Sequence, residues 1–301
     1  MSADRIHRGT REPLTLEVVP PYSLSLTVQV LRRVPTNIVD QWAAGIYSRA
    51  LQIGAKEYML RVRQLDQTTL EVDADRSPEA ILPLVRRMLG VDVDLSEALR
   101  LAAAESLLAS VVQHFRGLRP PRFASLFETL AMTIPFQQVS LEAGQSFVNR
   151  LVERFGKSRG ALWLFPTPAA IANASIEDLR AAGLSAAKAT TLRYAASLIV
   201  AGALSEAEIE RLPSDEALRL LDDLPGIGPW TAGVILLRGF GRLDVFPHGD
   251  VGARRTLSHL LGRTSSIDDA DEADLLERLG RYRGLVYFLG LALSRGLLAS
   301  G

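Results

Sequence analysis

Apolar and polar positions alternate with a period of two through much of the first quarter of the chain. The segments LTLEV, LSLTVQVLRRV, YMLRVRQL and TTLEVDA, within 14–34 and 46–74, place apolar side chains at nearly every second position. Successive strand side chains point to opposite faces, so this period predicts half-buried strands, bounded here by Pro20-Pro21, Gly54 and Asp66. The expected product is an antiparallel sheet. Ser77-Pro78-Glu79 then reads as a helix start, with Ser77 as N-cap and Pro78 in the first turn. Ile81, Leu82, Leu84, Val85, Met88 and Leu89 would form the face that covers the sheet.

Beyond that point the period lengthens. Helical spacing runs through 95–112, 123–133, 141–155, 168–174, 176–182, 186–201, 205–211 and 215–221, with short polar or Gly/Pro breaks between them. The fold class expected is α+β, mainly α: a sheet domain followed by an all-helical body.

One stretch combines features that packing alone does not require. Residues 224–250 read LPGIGPWTAGVILLRGFGRLDVFPHGD. A helix ending near Asp222, the turn Pro225-Gly226-Ile227-Gly228 and a helix starting at Pro229 leave backbone N–H groups without intrahelical partners. Such groups bind anions. Gly226 and Gly228 allow a phosphate to approach closely, while Ile227 anchors the turn. Equally, PGIG is a joint of the kind that merely links two helices. A dinucleotide site is not supported, because Thr231 occupies the third glycine position of G-x-G-x-x-G and no strand precedes it. Asp250, before Val251-Gly252-Ala253-Arg254-Arg255, suits both a helix N-cap and a functional carboxylate. His248 lies two residues earlier, but no serine or cysteine nucleophile motif accompanies it, so it reads as a loop residue or a phosphate contact.

Composition removes several classes. Lys plus Arg and Asp plus Glu each number 34, so any nucleic-acid site must come from local arrangement. The chain has no cysteine, which excludes disulfides, Cys-ligated zinc and an iron–sulfur cluster, and only 4 histidines. The polar first residues lack a signal-peptide core and no stretch stays apolar long enough to span a bilayer. A cytoplasmic protein is expected.

LPGIGPWTAG followed by DVFPHGD resembles the hairpin and aspartate of the helix-hairpin-helix DNA glycosylase superfamily, with Asp250 twenty positions after Trp230. Pro20-Pro21-Tyr22, 134–140 (IPFQQVS), Phe165-Pro166-Thr167-Pro168, Lys188-Ala189 and Tyr282-Arg283-Gly284 extend the likeness toward the bacterial 3-methyladenine DNA glycosylase II, or AlkA, type. The resemblance implies a flexible terminus (1–13), a sheet domain (14–94), a central helical domain with the hairpin (123–240), and a second helical domain (95–122 with 241–301). It makes Asp250 the catalytic carboxylate and puts Trp230 where strand-cutting members carry a lysine, so a monofunctional, hydrolytic enzyme is expected. Tyr282, Val234 and Val251 would line the substrate pocket, the valines, like Val30, standing where larger aromatics are common.

The same resemblance assigns Gly226, Ile227, Gly228, Gln137, Gln138 and Arg254 to DNA, with Gln138 in the loop that wedges into the gap left by a flipped base. From the residues alone, the two glutamines also suit a polar surface turn, and Arg254 a solvated helix face. Backbone carbonyls of Asp222, Leu224 and Ile227 would hold a structural monovalent cation, Na+ or K+, with no other cofactor required. The partner implied is double-stranded DNA containing a damaged base, bound by a monomer without membrane contact. The substrate implied is an alkylated purine. Another lesion (hypoxanthine, uracil or 8-oxoguanine) and a non-catalytic DNA-binding module stay open as alternatives.

Overall fold

The computed structural model describes residues 13–104, 109, 116–260, 263 and 267–294. Residues 1–12 and parts of the 95–112 helix and of the 241–301 segment therefore lie outside the described residues.

Five strands form one antiparallel sheet: β1 (Leu14–Glu17), β2 (Gln41–Ala43), β3 (Ile46–Ile53), β4 (Lys56–Gln64) and β5 (Thr69–Ala74), in the order β1-β5-β4-β3-β2. The long β3–β4 hairpin pairs Ile46 with Arg63 at one end and Ile53 with Lys56 at the turn. Tyr47, Leu51, Tyr58, Leu60 and Val62 of this hairpin, with Leu70 and Val72 of β5, face inward from the sheet.

The alternating segment LSLTVQVLRRV is not a strand. It forms helix α1 (Leu24–Arg32), whose start is capped by the Ser23 hydroxyl accepting from the Leu26 N–H at 3.3 Å. The positions it buries, Leu24, Thr27, Val28, Val30 and Leu31, follow helical spacing, and the short alternation is incidental to that face. A second correction concerns Ser77, which caps nothing: its hydroxyl bonds Glu79, a 3-10 turn spans Pro78–Ala80, and helix α2 runs Leu82–Leu89.

The helical body follows: α3 (Ser96–Ala104), α4 (Leu126–Ala131), α5 (Leu141–Phe155), then a hairpin of β6 (Lys157–Arg159) and β7 (Leu162–Leu164) that periodicity over three-residue strands does not reveal. Next come α6 (Pro168–Ala172), α7 (Ile176–Ala181), α8 (Ala186–Val200), α9 (Glu206–Arg211), α10 (Ser214–Asp222) and α11 (Pro229–Phe240). Helices α12 (Val251–Leu260), α13 (Asp269–Leu279) and α14 (Leu285–Leu293) close the described chain. No helix among the described residues is long and apolar enough to cross a membrane. Ser125, Ser140, Thr167, Ser175, Ser185 and Asp268 each accept from a first-turn N–H, satisfying donors that helix geometry leaves orphaned.

Helix α11 is the axle of this body. Every residue from Thr231 to Phe240 is buried, with Ile235, Leu236 and Phe240 in the central core and Val234 and Leu237 in the core of the second helical layer. A helix apolar on all sides must be surrounded, and this one is.

Buried arginines join the sheet domain to the body. Arg49 on β3 is fully buried, donates to Asp40 at 2.7 Å, and bonds Glu128 on α4; Tyr47 donates to the same Asp40 oxygen at 2.7 Å. Burial opposes its charge, yet Asp40 and Glu128 hold the Arg49 guanidinium well above the usual arginine range. At a second joint, Arg238 on α11 donates to the Val30 and Leu31 carbonyls at 3.2 Å each, and Arg33 donates to the Met132 carbonyl at 2.6 Å. Both guanidiniums lie on Phe123, at 4.5 and 5.3 Å from its ring centre.

Candidate active site

Helices α10 and α11 and the turn between them form the hairpin. Gly226 adopts φ +81°, a left-handed conformation that side chains disfavour, and an added Cβ would collide with the Thr191 hydroxyl on α8. Ile227 is buried in the central core and closes the turn by donating to the Leu224 carbonyl at 3.0 Å. Gly228 is the extended residue before α11, with open space where a side chain would stand. The N–H groups of Gly226, Gly228, Trp230 and Thr231 have no protein acceptor among the described residues, and Pro229 has no N–H to offer. These donors sit where the helix dipole is positive, an arrangement that suits a phosphate oxygen. The free donors of Gly226 and Gly228 suit the phosphate contact expected of them, whereas Ile227, buried and with its N–H already spent on Leu224, is the anchor of the turn. Gly226→Ala is expected to weaken duplex binding at least tenfold and to destabilise the fold by about 1–3 kcal/mol, from αL strain plus the Thr191 collision. Fluorescence anisotropy and thermal melting would measure the two effects; unchanged affinity would remove the hairpin from the DNA site.

The loop after α11 returns the chain to the same place. Gly233 on α11 lets Pro247 pack against the helix backbone, where an added Cβ would stand 3.0 Å from the Pro247 Cα. Gly284, at the start of α14, donates to the Leu243 carbonyl at 2.7 Å. Held on both sides, the loop delivers Asp250 opposite Trp230. The indole Nε1 donates to Asp250 Oδ2 at 2.8 Å, and the Ala253 N–H donates to Oδ1 at 2.7 Å. Asp250 thus caps α12 and binds Trp230 at once. Both it and Trp230 remain partly exposed, whereas the indole body packs on the core of the second helical layer.

The other expected pocket residues divide. Val251, the first residue of α12 and next in the chain to Asp250, is 70% exposed. Val234 is fully buried beside Leu237 and Phe246 and cannot touch a ligand; it supports the layer on which Trp230 rests. Val30 is likewise fully buried. Tyr282 donates its hydroxyl to Glu97 on α3 at 3.0 Å and lies under the Arg281 guanidinium, with no bond to Trp230 or Asp250.

The expected DNA contacts divide as well. Gln138 has φ +55° and is exposed, next to the half-exposed Val139. Gln137 instead turns inward to the hairpin: its amide donates to the Gly226 carbonyl at 2.9 Å and to the Thr231 hydroxyl at 3.0 Å. Arg254 is engaged by Glu272 at 2.6 Å and by Asp269, which hold its guanidinium above the usual arginine range. Paired in this way it braces α12 on α13, and the neighbouring Arg255 is the exposed cation of the pair. His248 Nδ1 lies 3.7 Å from the same Glu272, so no His–Asp catalytic pair forms. Lys188 was legible only as part of the resemblance; the structure shows its ammonium donating to the Pro135 and Gln137 carbonyls at 3.0 and 2.6 Å. Burial pulls that lysine below its usual range.

For the cation expected at the turn, the carbonyls of Asp222 and Ile227 receive no backbone N–H among the described residues, and that of Leu224 receives one. Carbonyl oxygens with free lone pairs are the donors a hard monovalent ion takes, so the residues fit it.

Two families match the chain. The HhH-GPD superfamily of base excision DNA repair proteins matches residues 131–281, and the AlkA N-terminal domain matches residues 13–125. A DNA-3-methyladenine glycosylase of Bacillus subtilis is 31% identical over 243 residues, covering 77% of this chain and 80% of its own length. DNA-3-methyladenine glycosylase 2 of Escherichia coli is 28% identical over 240 residues, covering 77% and 82%. Among solved structures, a 3-methyladenine DNA-glycosylase from Archaeoglobus fulgidus superposes with a TM-score of 0.81 at 26% identity, over 95% of this chain and all of that one.

Proposed function

The chain belongs to the HhH-GPD superfamily of base excision DNA repair proteins, and from that premise we propose that it is a monofunctional glycosylase hydrolysing the N-glycosidic bond of alkylated purines, such as 3-methyladenine, in double-stranded DNA. The observation that carries this reading is the 2.8 Å hydrogen bond from Trp230 to Asp250 beside the unpartnered N–H groups of the hairpin. Breaking the bond between base and deoxyribose develops positive charge on the sugar, and a fixed carboxylate beside it stabilises the transition state and orients water. With Oδ1 and Oδ2 each fixed by a donor, Asp250 needs little reorganisation as that charge appears.

Base release requires the nucleotide to leave the stack, at a cost of a few kcal/mol that is least for weakly paired bases. Once out, an N-alkylated purine carries positive charge, and the indole face of Trp230 attracts it by about 0.5–2 kcal/mol. An indole cannot form a Schiff base, which supports hydrolysis over strand cleavage. At the turn, the carbonyls of Asp222, Leu224 and Ile227 would hold Na+ or K+, which supplies positive charge near the bound phosphate. The exposed Val251 leaves the mouth wide and favours, as a second reading, another lesion such as hypoxanthine, uracil or 8-oxoguanine. A purely DNA-binding module would account for the cap that Asp250 forms through Oδ1, but gives no reason for the second bond from Trp230.

Chromatography of bases released from methylated duplex DNA tests the proposal. The expected result is 3-methyladenine in the supernatant, an intact strand until alkali is added, and no covalent adduct on borohydride treatment. Release of hypoxanthine, uracil or 8-oxoguanine alone, from single-lesion duplexes, would replace the alkylated substrate. Borohydride trapping would overturn the hydrolytic assignment, and no release of any base would leave a binding module.

A further inference from the structure

The segment before Gln138 is tied to the rest of the site more tightly than a surface turn requires. Gln137 reaches 89 and 94 residues along the chain to bond the Gly226 carbonyl and the Thr231 hydroxyl, one on the turn and one in the first turn of α11. From the other side, the Lys188 ammonium on α8 bonds the Pro135 and Gln137 carbonyls. Phe136, between them, is buried and lies 4.4 Å under the Arg33 guanidinium. Thr191, one turn along α8 from Lys188, is the residue pressed against Gly226. Loop, hairpin and α8 therefore form one closed ring of contacts, and residue 138 projects from it into solvent.

We propose that Gln137 and Lys188 are positioning residues that lock the 134–140 loop to the hairpin, so that the Gln138 side of the loop meets distorted DNA in fixed register with the phosphate held at Gly226–Gly228. This rests on the glycosylase reading of the site. Were loop and hairpin independent, ordering the loop on DNA would oppose binding each time; the ring makes that ordering part of folding instead. The gain is selective. An intact duplex engages the phosphate donors alone, whereas a duplex with a missing base engages both elements, so only the second senses the lock.

The test compares affinities for two duplexes of one sequence, intact and with a tetrahydrofuran abasic-site analogue, read by fluorescence anisotropy. 2-Aminopurine beside the analogue reports stacking. The parent is expected to prefer the abasic duplex. Gln137→Ala and the uncharged, similarly sized Gln137→Met, which cannot donate to the Gly226 carbonyl, should each lower that preference about tenfold while intact-duplex affinity changes far less. Lys188→Met should do the same and Lys188→Arg, which can still donate to both carbonyls, should restore most of it. The 2-aminopurine signal should shift toward the stacked value in step with the preference. If Gln137→Ala melts below the assay temperature, Gln137→Met and Lys188→Met carry the comparison. Preference retained within twofold in these variants, or both affinities falling in parallel, would overturn the lock. A parent without preference for the abasic duplex would overturn the glycosylase reading itself.

Discussion

Asp250→Asn is expected to lower base release about 100- to 1,000-fold, the scale on which a fixed transition-state group acts, while duplex affinity stays within a few-fold. The two effects separate because the side chain has two duties. As a cap it accepts from the Ala253 N–H, and asparagine caps as well as aspartate. As the site carboxylate it also accepts from Trp230 Nε1, and asparagine would meet that donor with its own NH2 group. The charge facing the sugar is lost, and the indole loses its acceptor. Single-turnover kinetics on methylated duplex, with melting temperature as control, would measure both. Release at the parental rate would remove Asp250 from the chemistry.

Glu128→Ala is expected to cost about 3–5 kcal/mol of stability, the range found when one partner of a buried ion pair is removed. Arg49 is fully buried on β3 and would face the new void with Asp40 as its remaining carboxylate. Glu128 also stands at the start of α4 and accepts weakly from the Ala124 N–H at 3.4 Å, so its removal loosens the joint from both sides. Glu128→Gln keeps an acceptor for Arg49 and should cost markedly less. Urea unfolding followed by tryptophan fluorescence would compare the three proteins; equal midpoints for Ala and parent would show that Asp40 alone satisfies Arg49.

What the sequence made legible was local. Gly226, Gly228, Trp230 and Asp250 lie within twenty-five residues, and each has a physical reason to be the residue type it is, so the hairpin and its carboxylate could be read before any coordinates. The helical body followed from period and caps. Segment 24–34 alternates like a strand over a few residues, and the helical spacing of its buried positions shows only once the packing is known. Long-range partnerships were not legible at all. Nothing near Arg254 announces Asp269 and Glu272, which remove it from the pool of free cations, and nothing near Gln137 points to Gly226. Exposure was equally hidden: Val234 and Val251 look alike in sequence, yet one is sealed in a core and the other stands open beside the site.

The helix that carries Trp230 at its tip is enclosed on every side from Thr231 to Phe240. Such an element has little compliance, because interiors packed to crystal-like density do not deform gradually. When duplex and protein meet, the give has to come from the DNA, at an elastic cost of order 1–6 kcal/mol for a bend of 40–90°. A stack already weakened by a damaged base bends more cheaply than a sound one. On the proposed function, mechanical stiffness at the axle would sort DNA by its softness before any base reached Asp250.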